Sequence, residues 1–179
     1  MDLHKIFKNK KLKQSKLELQ KSYLSKIISY PKNIDVFKNK YVYRSMEEII
    51  MRMSLKQIEH FFNKPPIVFI SISGIYSCAI DNNQNEYLVL LFPDLIKKLS
   101  CADNSEGLSI LAHELGHFFH EHSRKNISPL KAQVEADDFA FELGLGRELS
   151  EILSRFDDLN SKTRLSYLTA KILSSPTEN

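Results

Sequence analysis

Cysteine is scarce: Cys78 and Cys101 are too few for a disulfide framework, and their spacing suits no zinc ribbon. That scarcity predicts a reducing cytoplasm as the home of the chain. No apolar run approaches the ~20 residues that a membrane span needs, so a soluble protein is expected. The basic opening, Met1 to Lys13, lacks the apolar stretch of a secretory signal. Marks of a nucleic-acid reader are missing too. Residues 1–44 carry 12 Lys+Arg against 3 Asp+Glu, and the remainder carries 13 against 19. Neither interleaved aromatics nor a helix-turn-helix pattern accompanies those lysines. Leu17, Leu24, Ile27 and Ile28 recur at near-helical spacing, so the segment reads as a solvated amphipathic helix. Nucleic acid bound through this basic N-terminus is the less favoured partner.

What the chain does have is one chemically loaded stretch, His113-Glu114-Leu115-Gly116-His117, which fits the pattern H-E-x-x-H. Residues four apart share a helix face, so the two imidazoles can converge on one tetrahedral Zn²⁺ with Glu114 beside it. The surroundings predict that helix: Asp103 or Asn104 as cap, Glu106 in the first turn, and an apolar series from Leu108 to Phe119. Zinc lowers the pKa of a bound water to about 7 and polarises a carbonyl, and Glu114 is placed to act as general base.

A second helix is predicted from Pro129 to about Leu143, with Ser128 as N-cap, proline at the first helical position, and Gly144 and Gly146 as the stop. It carries Gln133-Val134-Glu135-Ala136-Asp137-Asp138-Phe139-Ala140. Together the two helices resemble those of the gluzincin metallopeptidases, especially the HtpX and CAAX-prenyl endopeptidase group, the small minigluzincins and the ImmA/IrrE group, whose second helix reads E-x-x-A-[DN]. The resemblance spans roughly residues 87–168. It implies an α+β, zincin-like (minigluzincin) domain, with a small sheet packed on the H-E-x-x-H helix and further helices on either side. It also implies one zinc ion held by His113 and His117, a third ligand from the second helix, and an Asp supporting a ligating His from behind.

Aligned on Ala136-Asp137, the third-ligand position holds Gln133 where the family pattern has Glu. A helical wheel puts Gln133 on the flank of Asp137 and Glu135 on the opposite flank, beside Asp138 and Glu142. Three arrangements stay open: Gln133 or Asp137 completes the site, Glu135 does so from an altered register, or the site is degenerate. A metzincin is excluded, because Ser123 and His120 stand where its third His and its Gly belong. His120 and His122 fit no known ligand spacing and are left outside the primary site. Arg164 and Tyr167, on the last predicted helix, are candidates for stabilising an oxyanion.

The remaining elements follow from local signals. Pro31 closes a first helix, a loop holds Asn33 and Asp35, and Ser45-Met46-Glu47-Glu48 reads as a capping box opening a helix from Met46 to about Phe62. Strands are expected over Ile67 to Ile72, Tyr76 to Ile80 and Tyr87 to Phe92, then a short helix from Pro93 to Leu99. Two more helices follow, over Arg147 to Phe156 and Ser161 to Ile172. The organisation is a basic helical extension over 1–44, a metallopeptidase-like domain over 45–173 and a frayed tail over 174–179. By resemblance, a peptide or protein substrate lies along an exposed sheet edge drawn from residues 74–92. The expected activity is cleavage of an internal peptide bond. The alternative is a catalytically impaired metallopeptidase fold serving as a peptide-binding or regulatory module.

Overall fold

The computed structural model describes residues 3–72, 78–82 and 86–175. Helices dominate: α1 (Leu3–Ile28), α2 (Ile34–Phe37), α3 (Lys40–Arg52) and α4 (Leu55–Phe62) precede a small sheet of β1 (Ile67–Ser71), β2 (Cys78–Asn82) and β3 (Glu86–Leu91). Then come α5 (Pro93–Leu99), α6 (Ser105–Phe119), α7 (Pro129–Glu142), α8 (Gly146–Leu153) and α9 (Leu159–Ser174). This is an α+β architecture. Among the described residues, no helix is long and apolar enough to cross a membrane.

The sheet has the order β1-β3-β2, with β3 parallel to β1 and antiparallel to β2. Among the strands described, β1 and β2 are therefore the edges and β3 the centre, so of residues 74–92 the edge strand is β2. Residues 73–77 and 83–85, including Gly74, Tyr76 and part of the expected turn, lie outside the described residues. Alternation along β3 sends Tyr87, Val89 and Leu91 to one buried face. Tyr87 stacks on Phe118 of α6, with ring centroids 4.6 Å apart and planes 12° from parallel, an offset pair worth about 0.5–1.5 kcal/mol beyond its area. The sheet is thus fixed to the helix that carries both histidines of the pattern.

The capping box sits elsewhere than expected. Ser45 is buried inside α3, whose N-cap is Asn39, accepting from the backbone N–H of Tyr41 at 3.0 Å. The reciprocal cap belongs to Ser54 and Gln57 and opens α4, so the expected helix of 46–62 is two helices broken at Met53. Gln20 fixes that break from α1: its amide nitrogen meets the carbonyls of Ile50, Met51 and Met53 at 3.0–3.1 Å, at the end of α3 where a helix runs out of its own N–H donors.

The boundary drawn at 44/45 falls inside α3, which is continuous there, and Tyr23, Leu24 and Ile27 of α1 are buried in the same core as α3, α4 and α6. The loop expected around Asn33 and Asp35 is helical. Asn33 is buried and clamps α1 to the sheet, donating to the carbonyls of Ile27 and Ile67 and accepting from the N–H of Phe69, each at 2.8 Å. Polar side chains rather than a hydrophobic signal set these joints. Of the expected tail, α9 continues through Ser174, and 176–179 lie outside the described residues.

Candidate metal centre

Two helices build the centre. α6 runs through the core with Asn104 as N-cap, and Asp103 accepts from the backbone N–H of Ser105 at 3.0 Å. α7 starts at Pro129 after Ser128, whose hydroxyl accepts from Lys131 N–H. It stops as the glycines require: Gly144 is left-handed at φ 77°, its N–H reaches the carbonyl of Phe141, and that of Leu145 reaches Ala140, the double closure of a Schellman motif. α6 and α7 touch at Gly116, where a Cβ would stand 2.9 Å from the Cα and the carbonyl oxygen of Ala136. Only a hydrogen fits there, and this close approach brings Asp137 beneath His113.

His113 and Glu114 are buried. The Nε2 atoms of His113 and His117 face each other 3.2 Å apart. Two nitrogens bonded to one tetrahedral zinc at about 2.0–2.1 Å stand roughly 3.3–3.4 Å apart, so the pair is already spaced as one edge of such a site. Behind it, Nδ1 of His113 lies 2.8 Å from Oδ1 of Asp137. Burial works to raise the Asp137 carboxyl, but hydrogen bonds from Arg164 and His113 outweigh it and leave the group below the ordinary Asp value. An ionised Asp137 needs a donor, so the His113 proton sits on Nδ1 and Nε2 keeps its lone pair for a metal. His117 is driven down to about 3, first by burial and then by repulsion from a charged His113 or His122, so it is neutral at pH 7. Two imidazoles converging at this spacing fit a zinc ion.

A cleft of about 1180 Å³ opens over these atoms, and His113, Glu114, His117, Gln133 and Arg164 all line it. Of the three residues considered for the third ligand, Gln133 faces the cleft with the histidines. Glu135 does not line it; its Oε2 lies 2.9 Å from Nε2 of His122, and Lys131 stands 3.8 Å from its other oxygen. Asp137 is 1% exposed at its side chain and held by Arg164 as well as His113. Arg164 therefore reaches the cleft wall with Nε and Nη2 committed to that carboxylate, whereas Tyr167 donates to Asp138 at 3.2 Å.

His122, left outside the primary site on its spacing, stands against it. Its Nδ1 lies 2.7 Å from Nδ1 of His117, and it lines the same cleft. No spacing rule could have found it, because it arrives through a left-handed turn at Glu121, φ 53°, which ends α6 and folds the chain back. Together with His120 and Glu135 it also forms a group whose ligand atoms lie within 4.8 Å of one another.

No curated protein and no solved structure matches this chain in such comparisons. A family model does, over residues 38–173, and that stretch contains both helices of the centre, the sheet and the cleft. With that match covering more than half of its length, the chain belongs to Peptidase family M48, zinc metallopeptidases of the gluzincin type.

Proposed function

We propose that this chain is a zinc-dependent endopeptidase with a minigluzincin-like arrangement, working in the cytoplasm on a peptide or protein segment. The observation that carries the reading is the pair of facing Nε2 atoms, 3.2 Å apart, with Glu114 on the same cleft. His113 and His117 hold the ion, and Gln133 completes the set through its side-chain carbonyl. A zinc ion held there would supply Lewis-acid polarisation of the scissile carbonyl and a more acidic water. Glu114, on the same cleft wall, would serve as the base that takes a proton from water and hands it to the departing amine. Asp137 fixes the tautomer of His113, and Arg164 fixes Asp137. The substrate backbone pairs with the outer edge of β2, an edge of the sheet among the described residues, which packs on α6, and an apolar side chain enters the cleft among Leu149, Ile152, Leu153 and Phe156.

A second reading, a peptide-binding module without turnover, is favoured by Gln133 alone, since a neutral amide is a weaker zinc ligand than a carboxylate. Zinc content and hydrolysis of a peptide library, measured on the wild type and on Glu114→Gln, separate the two. The enzyme reading expects about one zinc per chain in both proteins and hydrolysis only in the wild type. Equal hydrolysis by both removes Glu114 from its role, and zinc uptake with no hydrolysis by either selects the binding module.

A further inference from the structure

We infer that His122 and Glu135 form an outer relay that orients His117 and returns to the centre the negative charge Gln133 lacks. The inference rests on the zinc-site reading above. Its ground is a chain of two contacts, His117 Nδ1 to His122 Nδ1 at 2.7 Å and His122 Nε2 to Glu135 Oε2 at 2.9 Å.

Proton accounting fixes the direction of that chain. A carboxylate only accepts, so the contact with Glu135 puts the His122 proton on Nε2. A neutral His122 then has a bare Nδ1, which can only accept, and the 2.7 Å contact needs a donor from His117. The His117 proton is therefore on Nδ1, leaving its Nε2 bare toward His113. Each ligating histidine thus has its tautomer set from behind by a carboxylate of α7: His113 by Asp137 directly, His117 by Glu135 through one intervening imidazole. The opposite assignment places a proton between the two Nε2 atoms and a second one on His122.

The local structure is built for this contact. Glu121 is the one non-glycine residue with positive φ among those described, a conformation that costs of order 1 kcal/mol and persists where surrounding contacts impose it. Its carboxylate is held by Lys64, and the turn it makes delivers His122, 7% exposed at its side chain, behind His117. Ring stacking on His120, 5.4 Å between centroids and 8° between planes, keeps the imidazole in the plane that both contacts use. Glu135 has the chemistry of the missing third ligand and lies on the flank of α7 away from Gln133. It meets the centre one residue further out.

The test is the zinc dissociation constant, from competition with a chromogenic chelator, on the purified full chain. Wild type, Glu135→Gln, His122→Phe and His120→Phe are compared, with thermal unfolding of each zinc-free protein beside them. The relay expects one zinc per chain throughout, a loss of affinity of about 10–100-fold in Glu135→Gln and His122→Phe, and none in His120→Phe. Glu135 is part-exposed, so Glu135→Gln keeps the test alive if His122→Phe fails to fold. In ¹⁵N-histidine spectra of the zinc-loaded wild type, His117 should be protonated at Nδ1 and His122 at Nε2. Unchanged affinity in Glu135→Gln overturns the relay while leaving the zinc site standing. Two zinc ions in the wild type, one of them lost in His120→Phe, overturn it in favour of a second metal at His120, His122 and Glu135. A wild type that takes up no zinc removes the parent reading instead.

Discussion

Arg164 grips Asp137 with a fork, Nε to Oδ2 at 2.7 Å and Nη2 to Oδ1 at 2.6 Å, while the same Oδ1 faces Nδ1 of His113. The side chains are 15% and 1% exposed, so removing Arg164 leaves a nearly buried carboxylate with His113 as its remaining partner and without the guanidinium charge. Arg164→Ala should therefore destabilise the zinc-free protein by about 3–5 kcal/mol in chemical denaturation. It should also weaken zinc binding, because Asp137 loses the group that sets its orientation. Arg164→Lys should recover little of either effect, since an ammonium supplies a point charge and no planar fork.

Gln133 gives the opposite kind of prediction, a gain. It lines the cleft with His113 and His117, whereas Glu135 is turned onto His122. Gln133→Glu changes neither length nor branching and replaces a neutral oxygen by an anionic one. Zinc affinity should rise by at least about tenfold, or roughly 1.4 kcal/mol, by chelator competition. No gain would place the third ligand elsewhere.

How far these residues could be read in advance depended on whether local spacing or distant packing placed them. H-E-x-x-H is a statement about one helix face, and the Ser128-Pro129 start and Gly144 stop of α7 are local rules, so both helices were legible almost to the residue. The wheel of α7 separated Gln133 from Glu135, and the cleft keeps that separation. The capping box was misplaced because Ser45-x-x-Glu48 satisfies the same local pattern as Ser54-x-x-Gln57, and burial of Ser45 in α3 decides between them. His122 was illegible for a different reason. Its position follows from a left-handed residue and a contact with α7, neither of which has a sequence period.

Gly116 carries a prediction from packing alone. It fills one of the unspecified places of H-E-x-x-H, and a Cβ there would stand 2.9 Å from the Cα and carbonyl oxygen of Ala136 and from the Cβ of Phe139. Backbone atoms of a packed helix cannot step aside as a side-chain tip does. Gly116→Ala should cost about 1–3 kcal/mol in spite of the better helix propensity of alanine. Because the strain is relieved by moving α7 away, the His113–Asp137 contact lengthens and zinc affinity falls with stability. A stabilised Gly116→Ala protein would show that the helices tolerate the separation.

Acid sensitivity should come in part from Glu106, in the first turn of α6. Hydrogen bonds from Arg155, and next from Lys98 at 2.5 Å, pull its carboxyl from the ordinary 4.5 down to about 2. These contacts tie the start of α6 to the last turn of α5 and to the segment after α8, the two walls of the cleft. A folded-state pKa below the unfolded one means that the stabilisation is fully present above about pH 4.5 and is lost as pH falls toward 2. Glu106→Gln should accordingly melt below the wild type at pH 7, and the gap should close progressively between pH 4.5 and 2. High salt should narrow the gap at neutral pH as well, because the carboxylate is about a quarter exposed and its ion pairs are open to screening. A gap that stays constant with pH would mean that Glu106 acts through packing rather than charge.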